Sequence, residues 1–187
     1  MRLPLKHAAS INPDVVAEST PPEVEIEYID IGNVQATGDI VGTERMTFGA
    51  SPSRARRPVR HGDTIISTVR TYLQAIAYMQ DPPAGTVAST GFAVLRPRPD
   101  VDGRFLYYAV RAKPFIEAVV SRSVGVSYPA IAPSDLGALE IELPLLPEQR
   151  AIAAFLDRET ARIDELVPKK THLVELLEER VEGRILQ

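Results

Sequence analysis

The chain has 187 residues, of which 44% are apolar and 25% charged, enough for one globular domain with a sizeable core. It contains no cysteine, which excludes disulfides, thiolate catalysis and Cys-ligated zinc, and its three histidines stand in separate contexts that predict no metal site. Because it has neither an apolar run of about 18 residues nor an N-terminal signal, we expect a cytoplasmic protein without a membrane segment.

The formal net charge of −4 is distributed unevenly along the chain. Residues 1–44 contain two basic side chains against eight acidic ones, whereas residues 45–122 contain twelve against five. The remainder is again acidic. The middle of the chain is therefore where a phosphate backbone would be attracted.

Alternation and turn residues predict strands in the first half of the chain. Residues 24–34 should form a strand that enters a turn at Gly32-Asn33, and further turns are expected at Gly38-Asp39 and Gly42. A strand is predicted over residues 64–69, and residues 74–79 should pair with it across a bend at Thr71-Tyr72.

A cluster of arginines lies between these strands, in a segment rich in serine and proline that predicts a loop. Clustered guanidinium groups suit phosphate contact or bidentate recognition of guanine, because their fork of donors matches both. The alternative is a solvated run of charge. The clustered residues are Arg54, Arg56, Arg57 and Arg60.

The second half of the domain is expected to contain a strand, a helix and a last strand. Residues 92–95 should form a strand that ends at Arg96-Pro97, and residues 105–120 a helix that Pro114 dents, with Tyr107 in the core and Tyr108 at its rim. Residues 122–128 combine a basic group, hydroxyls, a glycine and an aromatic ring, a set that suits approach to a nucleic acid but equally a plain connector. Residues 139–143 form the last predicted strand.

A long helix is predicted from Pro147 to Gln187, because proline is tolerated in a first turn and Glu148 complements the helix dipole. Its apolar residues recur at heptad-like spacing and predict a coiled-coil seam, while an ordinary surface helix remains the alternative. Interior Pro168 predicts a kink or a short break. The seam residues are Ile152, Leu156, Ile163, Leu166, Leu173 and Leu177, and its polar interruptions are Gln149, Glu159, Lys170 and Arg180.

Several segments resemble the specificity (S) subunits of type I restriction-modification systems. The most specific is PLLPEQRAIAAFLDRETARIDEL, which looks like the conserved helical region that follows a target recognition domain in that family. Weaker landmarks follow one another in the family's order and extend the resemblance over nearly the whole chain. These landmarks are YIDIGNV (28–34), HGDTII (61–66), STGFAVLRP (89–97) and GVSYP (125–129).

The resemblance implies an α+β target recognition domain with a twisted mixed or antiparallel sheet and flanking helices, residues 1–143. It is followed by a coiled-coil spacer helix, residues 144–187. This half of a subunit would read one half of an interrupted site on double-stranded DNA. Because loops of this domain lie in the major groove in that family, the resemblance adds loop residues to the arginine cluster as candidate DNA contacts: Arg70, Tyr72, Ser123, Ser127 and Tyr128.

The partners implied by the resemblance carry the catalysis, and the chain itself would bind no cofactor. Modification subunits, docked on the spacer helices, would methylate adenine with S-adenosylmethionine, and a restriction subunit would use ATP and Mg²⁺. We expect an antiparallel homodimer through the helix. Two alternatives are a stand-alone dimeric DNA-binding or regulatory protein and a catalytic DNA methyltransferase.

The methyltransferase alternative depends on Asp81-Pro82-Pro83-Ala84, which is similar to the (D/N)PP(Y/F/W) tetrad of amino-methyltransferases. Its last position lacks the aromatic ring that would stack on a flipped base. The chain also has no glycine-rich loop for S-adenosylmethionine and no phosphate-binding loop for ATP. We therefore interpret the tetrad as a turn.

Overall fold

The computed structural model describes the backbone of residues 1–185 and the side chains of residues 1–177. Three short 3-10 turns, Ile31–Asn33, Phe48–Ala50 and Thr71–Leu73, lie between its strands. The strands are β1 (Arg2–Pro4), β2 (Ala9–Ile11), β3 (Glu25–Ile29), β4 (Glu44–Thr47), β5 (Ala55–Pro58), β6 (Thr64–Ser67), β7 (Ile76–Tyr78), β8 (Thr86–Ser89), β9 (Phe92–Pro97) and β10 (Glu140–Glu142). The α-helices are α1 (Leu5–Ala8), α2 (Gly103–Arg111), α3 (Lys113–Arg122), α4 (Pro133–Gly137) and α5 (Leu146–Ile185).

Most of the strands belong to two four-stranded sheets. The central sheet has the order β2-β9-β6-β7 and is antiparallel throughout. The outer sheet has the order β4-β3-β8-β5, and in it β3 and β8 run parallel. A separate antiparallel pair joins β1 to β10. This mixed architecture with flanking helices and a long last helix confirms the predicted α+β class.

The central sheet is buried on both faces. Successive strand residues point to opposite faces, and Ile65 and Ile66 accordingly belong to different apolar clusters. Ile66 packs with Leu106 and Val110 of α2, whereas Ile65 packs with Ile29 of the outer sheet. Burial on both faces explains why all four residues of β6 are buried and why its adjacent residues Ile65 and Ile66 are both apolar rather than alternating with exposed polar residues.

The predicted pairing of the two middle strands is confirmed. Strand β6 pairs with β7 in antiparallel register, with Ile66 opposite Ile76, and the 3-10 turn at Thr71–Leu73 lies at the expected bend. Tyr107 is buried and Tyr108 is partly buried, as predicted for the core and rim of a helix. The Asp81 tetrad lies in the connection between β7 and β8, which confirms its interpretation as a turn.

Two proline positions correct the sequence-based boundaries. Pro114 does not dent one helix; it lies in the first turn of α3, and Ala112, with extended backbone angles, separates α3 from α2. A proline in a first helical turn replaces no intrahelical bond, which explains why the chain restarts a helix there. The strand predicted to end at Leu95 continues to Pro97, because Arg96 and Pro97 pair with Ser10 and Ala9 of β2.

The arginine segment is a loop only in part: Arg54 and Arg60 lie outside the strands, but Arg56 and Arg57 do not. Ala55–Pro58 forms β5 at the edge of the outer sheet, paired with β8 through a register shift between Ala55 and Arg57. An edge strand tolerates proline and charge, since its outer side needs no partner. The composition that indicated a loop is equally typical of such an edge.

Helix α5 begins at Leu146 and continues through Pro168 without a break. Gln149 does not interrupt a seam, because its side chain is buried within the globular part of the chain. Its Oε1 accepts from Asp102 N at 2.8 Å, and its Nε2 donates to Pro144 O at 2.9 Å. The side chain of Arg180 and the end of the predicted helix at Gln187 lie outside the described residues.

Residue contacts divide the chain into two compact units. The first, the globular unit, comprises Met1–Arg150, and the second begins at Ala151. The first turn of α5 thus belongs to the globular unit. Within the described part of the chain, no helix combines the length and apolar character that a membrane crossing requires.

Candidate nucleic-acid interface

Two loops distant in sequence are joined on the surface of the globular unit. The first loop, residues 68–75, connects β6 to β7, and the second loop, residues 123–132, connects α3 to α4. Arg70 N donates to Pro129 O at 2.8 Å, and the hydroxyls of Thr71 and Ser123 hydrogen-bond at 2.8 Å. The second loop also closes on itself, because Val124 and Ala130 exchange backbone hydrogen bonds of 2.8 and 3.0 Å. The loops therefore form one built surface.

The backbone of this surface is strained. Arg70 and Gln74 have φ of 49° and 52° on either side of the 3-10 turn, and Gly125 has φ of 116° in the second loop. A left-handed residue other than glycine costs roughly 1–3 kcal/mol and persists only where its surroundings impose it. Such strain is typical of positions where a functional geometry is held in place.

The side chains at the tips of the loops are unusually apolar for a surface. Tyr72 and Leu73 are exposed on the first loop, and Val124, Val126 and Tyr128 on the second. Val126 is fully exposed, at 101% of its reference area. Apolar and aromatic groups that remain in water mark a contact surface, and next to basic groups they suit the edges and methyl groups of bases.

A cleft of about 800 Å³ opens beside the first loop. Arg54 and Arg70 both line it, together with Asp30, Val69, Leu73 and Thr90. Arg54 Nε donates to Tyr28 Oη at 3.1 Å and its Nη2 to Asp30 Oδ2 at 2.6 Å. The Tyr28 hydrogen bond and the Asp30 charge raise the pKa of Arg54 above its ordinary value. The Arg54 side chain is thus held in the wall of the cleft, and Asp30 partly neutralises its charge.

The other members of the arginine cluster each have different surroundings. Arg60 forms an ion pair with Asp14 at 2.9 Å. The Arg56 guanidinium stacks on Phe48, with 4.9 Å to the ring centroid, and Arg57 has a buried Nε without a hydrogen-bond partner. These three side chains do not line the cleft. The structure brings together Arg70, Ser123 and Tyr128, places Tyr72 and Ser127 on the same two loops, and adds only Arg54 from the cluster.

The residues that connect the two loops were not among the predicted site residues. Thr71, Pro129 and Ala130 hold them together, and nothing in their local sequence indicates a distant partner. Val126 was also missed, although an apolar residue between glycine and serine in a polar loop is a signal that could have found it. In the described part of the chain, no three His, Asp or Glu side chains are arranged to hold a metal ion.

The comparisons with known proteins identify the family. Residues 28–176 match the model of the type I restriction modification DNA specificity domain, so the chain belongs to that family. It is also 30% identical over 115 residues to the type I restriction enzyme MjaIX specificity subunit of Methanocaldococcus jannaschii, a match that covers 62% of this chain and 25% of the relative.

Solved structures show the same relationship. The HsdS subunit from Thermoanaerobacter tengcongensis has a TM-score of 0.79 and 31% identity, covering 89% of this chain and 43% of that one. The S subunit from M. genitalium, at a TM-score of 0.51 and 19% identity, covers 89% and 40% and shares the fold. The chain thus spans less than half the length of these relatives. The family and the relatives that the chain matches are specificity domains and subunits, which are non-catalytic, and this favours the specificity-subunit interpretation over a catalytic methyltransferase.

Proposed function

We propose that the globular unit recognises one half of an interrupted DNA target on behalf of a type I restriction-modification complex. The joined loops carry this proposal, because they present a basic group, hydroxyls and exposed apolar side chains on one fixed surface beside an open cleft. Sequence is read by contacts of this kind to base edges, whereas phosphate contacts fix position. The match to specificity domains supports the same function.

The division of labour within the chain follows from the same proposal. Residues 1–143 act as the recognition domain and residues 144–187 as the spacer helix. The chain binds no cofactor of its own. Modification subunits supply S-adenosylmethionine and adenine methylation, and a restriction subunit supplies ATP, Mg²⁺ and cleavage.

A direct test is selection from a pool of random duplexes with the purified chain, followed by sequencing of the bound fraction. We expect a short enriched motif with defined positions. A pool that binds without enrichment would reduce the chain to a nonspecific DNA-binding protein. Co-purification of a methylase subunit distinguishes the complex from a stand-alone regulator, which would purify without one.

The arginines of β5 are proposed to contact phosphate rather than bases. Arg56 and Arg57 have no carboxylate partner among the described side chains, whereas Arg54 and Arg60 are each paired with an aspartate. Replacing Arg56 and Arg57 with alanine should therefore weaken binding at every sequence and flatten its salt dependence by about 0.9 per lost contact. The comparison variant Arg60→Ala removes one arginine that is already paired with Asp14, and we expect it to cause less than half of the change seen in the double variant. An unchanged salt slope in the double variant would remove β5 from the interface.

The spacer helix is proposed to pair with the helix of a second copy. Ile163, Leu166 and Leu173 are 56%, 43% and 55% exposed, and Leu177 is exposed as well. Ile152 and Leu156 are partly buried. At about 25 cal/mol per Å², an apolar stripe of this length favours association. Two-fold symmetry of an antiparallel homodimer would place identical recognition domains on an interrupted palindrome.

A further inference from the structure

Arg70 differs from Arg54, the other arginine of the cleft, in what its guanidinium contacts. Arg54 is held by Tyr28 and Asp30. The Arg70 guanidinium has no carboxylate or carbonyl partner among the described residues, and its side chain is exposed. All five N–H donors of Arg70 are therefore available to a ligand, in a cleft where the other guanidinium is already engaged.

The free guanidinium of Arg70 is nevertheless held in place. Its Cζ lies 4.7 Å from the centroid of the Tyr128 ring, within the range of a cation–π contact. The backbones of the two residues are fixed to each other as well, since Arg70 N donates to the carbonyl of Pro129, the residue after Tyr128. The left-handed backbone of Arg70, with φ of 49° and ψ of 47°, completes this geometry.

Stacking on a ring leaves the edge of a guanidinium open. A ring covers one face of the planar group, while the N–H donors lie in the plane and point away from it. Two parallel donors match the O6 and N7 acceptors that guanine presents in the major groove. Preorganisation by Tyr128 also reduces the rotamer entropy that a long side chain loses on binding. The neighbouring exposed side chains, Tyr72 and Val126, suit contact with bases more than with phosphates.

We propose that Arg70 reads a guanine of the DNA target and that Tyr128 is the positioning residue that holds its guanidinium for bidentate contact. This inference rests on the proposed function, since it assumes a specific DNA target. It assigns the recognition of one guanine in that target to one side chain.

The test compares binding profiles of the wild-type chain and its variants on a pool of random duplexes. Arg70→Ala should lose about 10- to 100-fold discrimination at one G·C position and keep the other positions of the motif. Arg70→Lys keeps the charge but not the fork, and should lose most of the same discrimination. Arg2→Ala removes an equal charge from β1, outside the cleft, and should leave the profile unchanged.

Two further arms test the atoms and the positioning role. Replacing the read guanine with 7-deazaguanine removes the N7 acceptor, so it should weaken the wild-type chain but cause no further loss in Arg70→Ala. Tyr128→Leu should lose part of the discrimination at this G·C position, and Tyr128→Phe, which keeps the ring, should restore most of what leucine loses.

The outcomes separate the two proposals. Absence of any enriched motif with the wild-type chain would refute the proposed function. If the wild type selects a motif but Arg70→Ala weakens all sequences equally and flattens the salt dependence, Arg70 contacts phosphate and the guanine assignment is wrong. Equal loss in Tyr128→Leu and Tyr128→Phe would refute the positioning role of the ring.

Discussion

Replacing Asp63 with asparagine should destabilise the globular unit by about 2–4 kcal/mol. Asp63 is buried, with 1% of its side chain exposed, and it accepts Arg96 Nε at 2.9 Å and Arg96 Nη2 at 2.8 Å. It also accepts the backbone N–H of Arg60 at 2.9 Å. An asparagine keeps the shape but turns an amide NH2 toward the guanidinium, so at least one charge-assisted bond is replaced by two opposed donors.

The magnitude follows from how much of the ion pair survives. Removing one partner of a buried pair costs roughly 3–5 kcal/mol. Arg96 retains Asp14 at 2.6 Å, and 23% of its side chain is exposed, which lowers the expected cost below that range. Since a domain has only about 5–15 kcal/mol of stability, the effect is large.

Urea unfolding followed by circular dichroism measures this effect. We expect a lower midpoint with an unchanged m-value, because the surface exposed on unfolding stays the same. Asp14→Asn is the matched control and should shift the midpoint less, since its carboxylate is more exposed than that of Asp63. A loss below about 1 kcal/mol in Asp63→Asn would show that the network contributes no more than an exposed pair.

Three further predictions concern pH, loop geometry and assembly. A hydrogen bond from Arg96 lowers the pKa of Asp14 below its ordinary 3.8, so its stabilisation is present above that pH and is lost as the pH falls through the lowered value; Asp14→Asn should flatten acid unfolding in this window. Gly125→Ala should lower the free energy of unfolding by roughly 1–3 kcal/mol and also reduce DNA affinity, because a Cβ there would lie 2.9 Å from Tyr128 O at a φ of 116°; equal affinity would show that the second loop does not need its shape. Leu166→Ser with Leu173→Ser should convert the dimer to a monomer in light scattering, and a wild-type chain already monomeric at micromolar concentration would refute pairing through the helix.

Elements that are marked by nearby prolines, turn residues or apolar runs could be predicted from the sequence. The β6–β7 pair follows from a β-branched run before a short bend and an apolar segment after it, and the start of α5 follows from two prolines and an acidic first turn. In both cases the residues that predict the element lie within it or next to it. The local sequence is therefore sufficient to predict these elements.

Elements defined by distant pairing could not be predicted in the same way. Strand β1 is three residues long and pairs with β10 near the other end of the globular unit, and β3 pairs in parallel with β8. The sequence of β5 predicts a loop, because edge strands and loops both tolerate proline and charged residues. Gln149 lies at a heptad position, but its side chain is buried in the globular unit, where it accepts a hydrogen bond from Asp102 N.

The candidate interface shows the same limit. The family resemblance indicated Arg70, Ser123 and Tyr128 as separate candidates. Their coupling depends on hydrogen bonds and ring stacking between two loops that only the packed sheet and helices bring together. Arg54 lines the cleft and Arg60 does not. This difference likewise depends on distant partners, since Arg54 pairs with Asp30 and Arg60 with Asp14.

If the proposed function is correct, this chain directs modification to a DNA sequence that it reads itself. Co-expression of the chain with a type I modification subunit, followed by mapping of methylated adenines in the host genome, measures this. We expect methylation at an interrupted palindrome that disappears when the chain is omitted and relaxes at one G·C position with Arg70→Ala. Adenine methylation that is the same with and without the chain would contradict the proposed function.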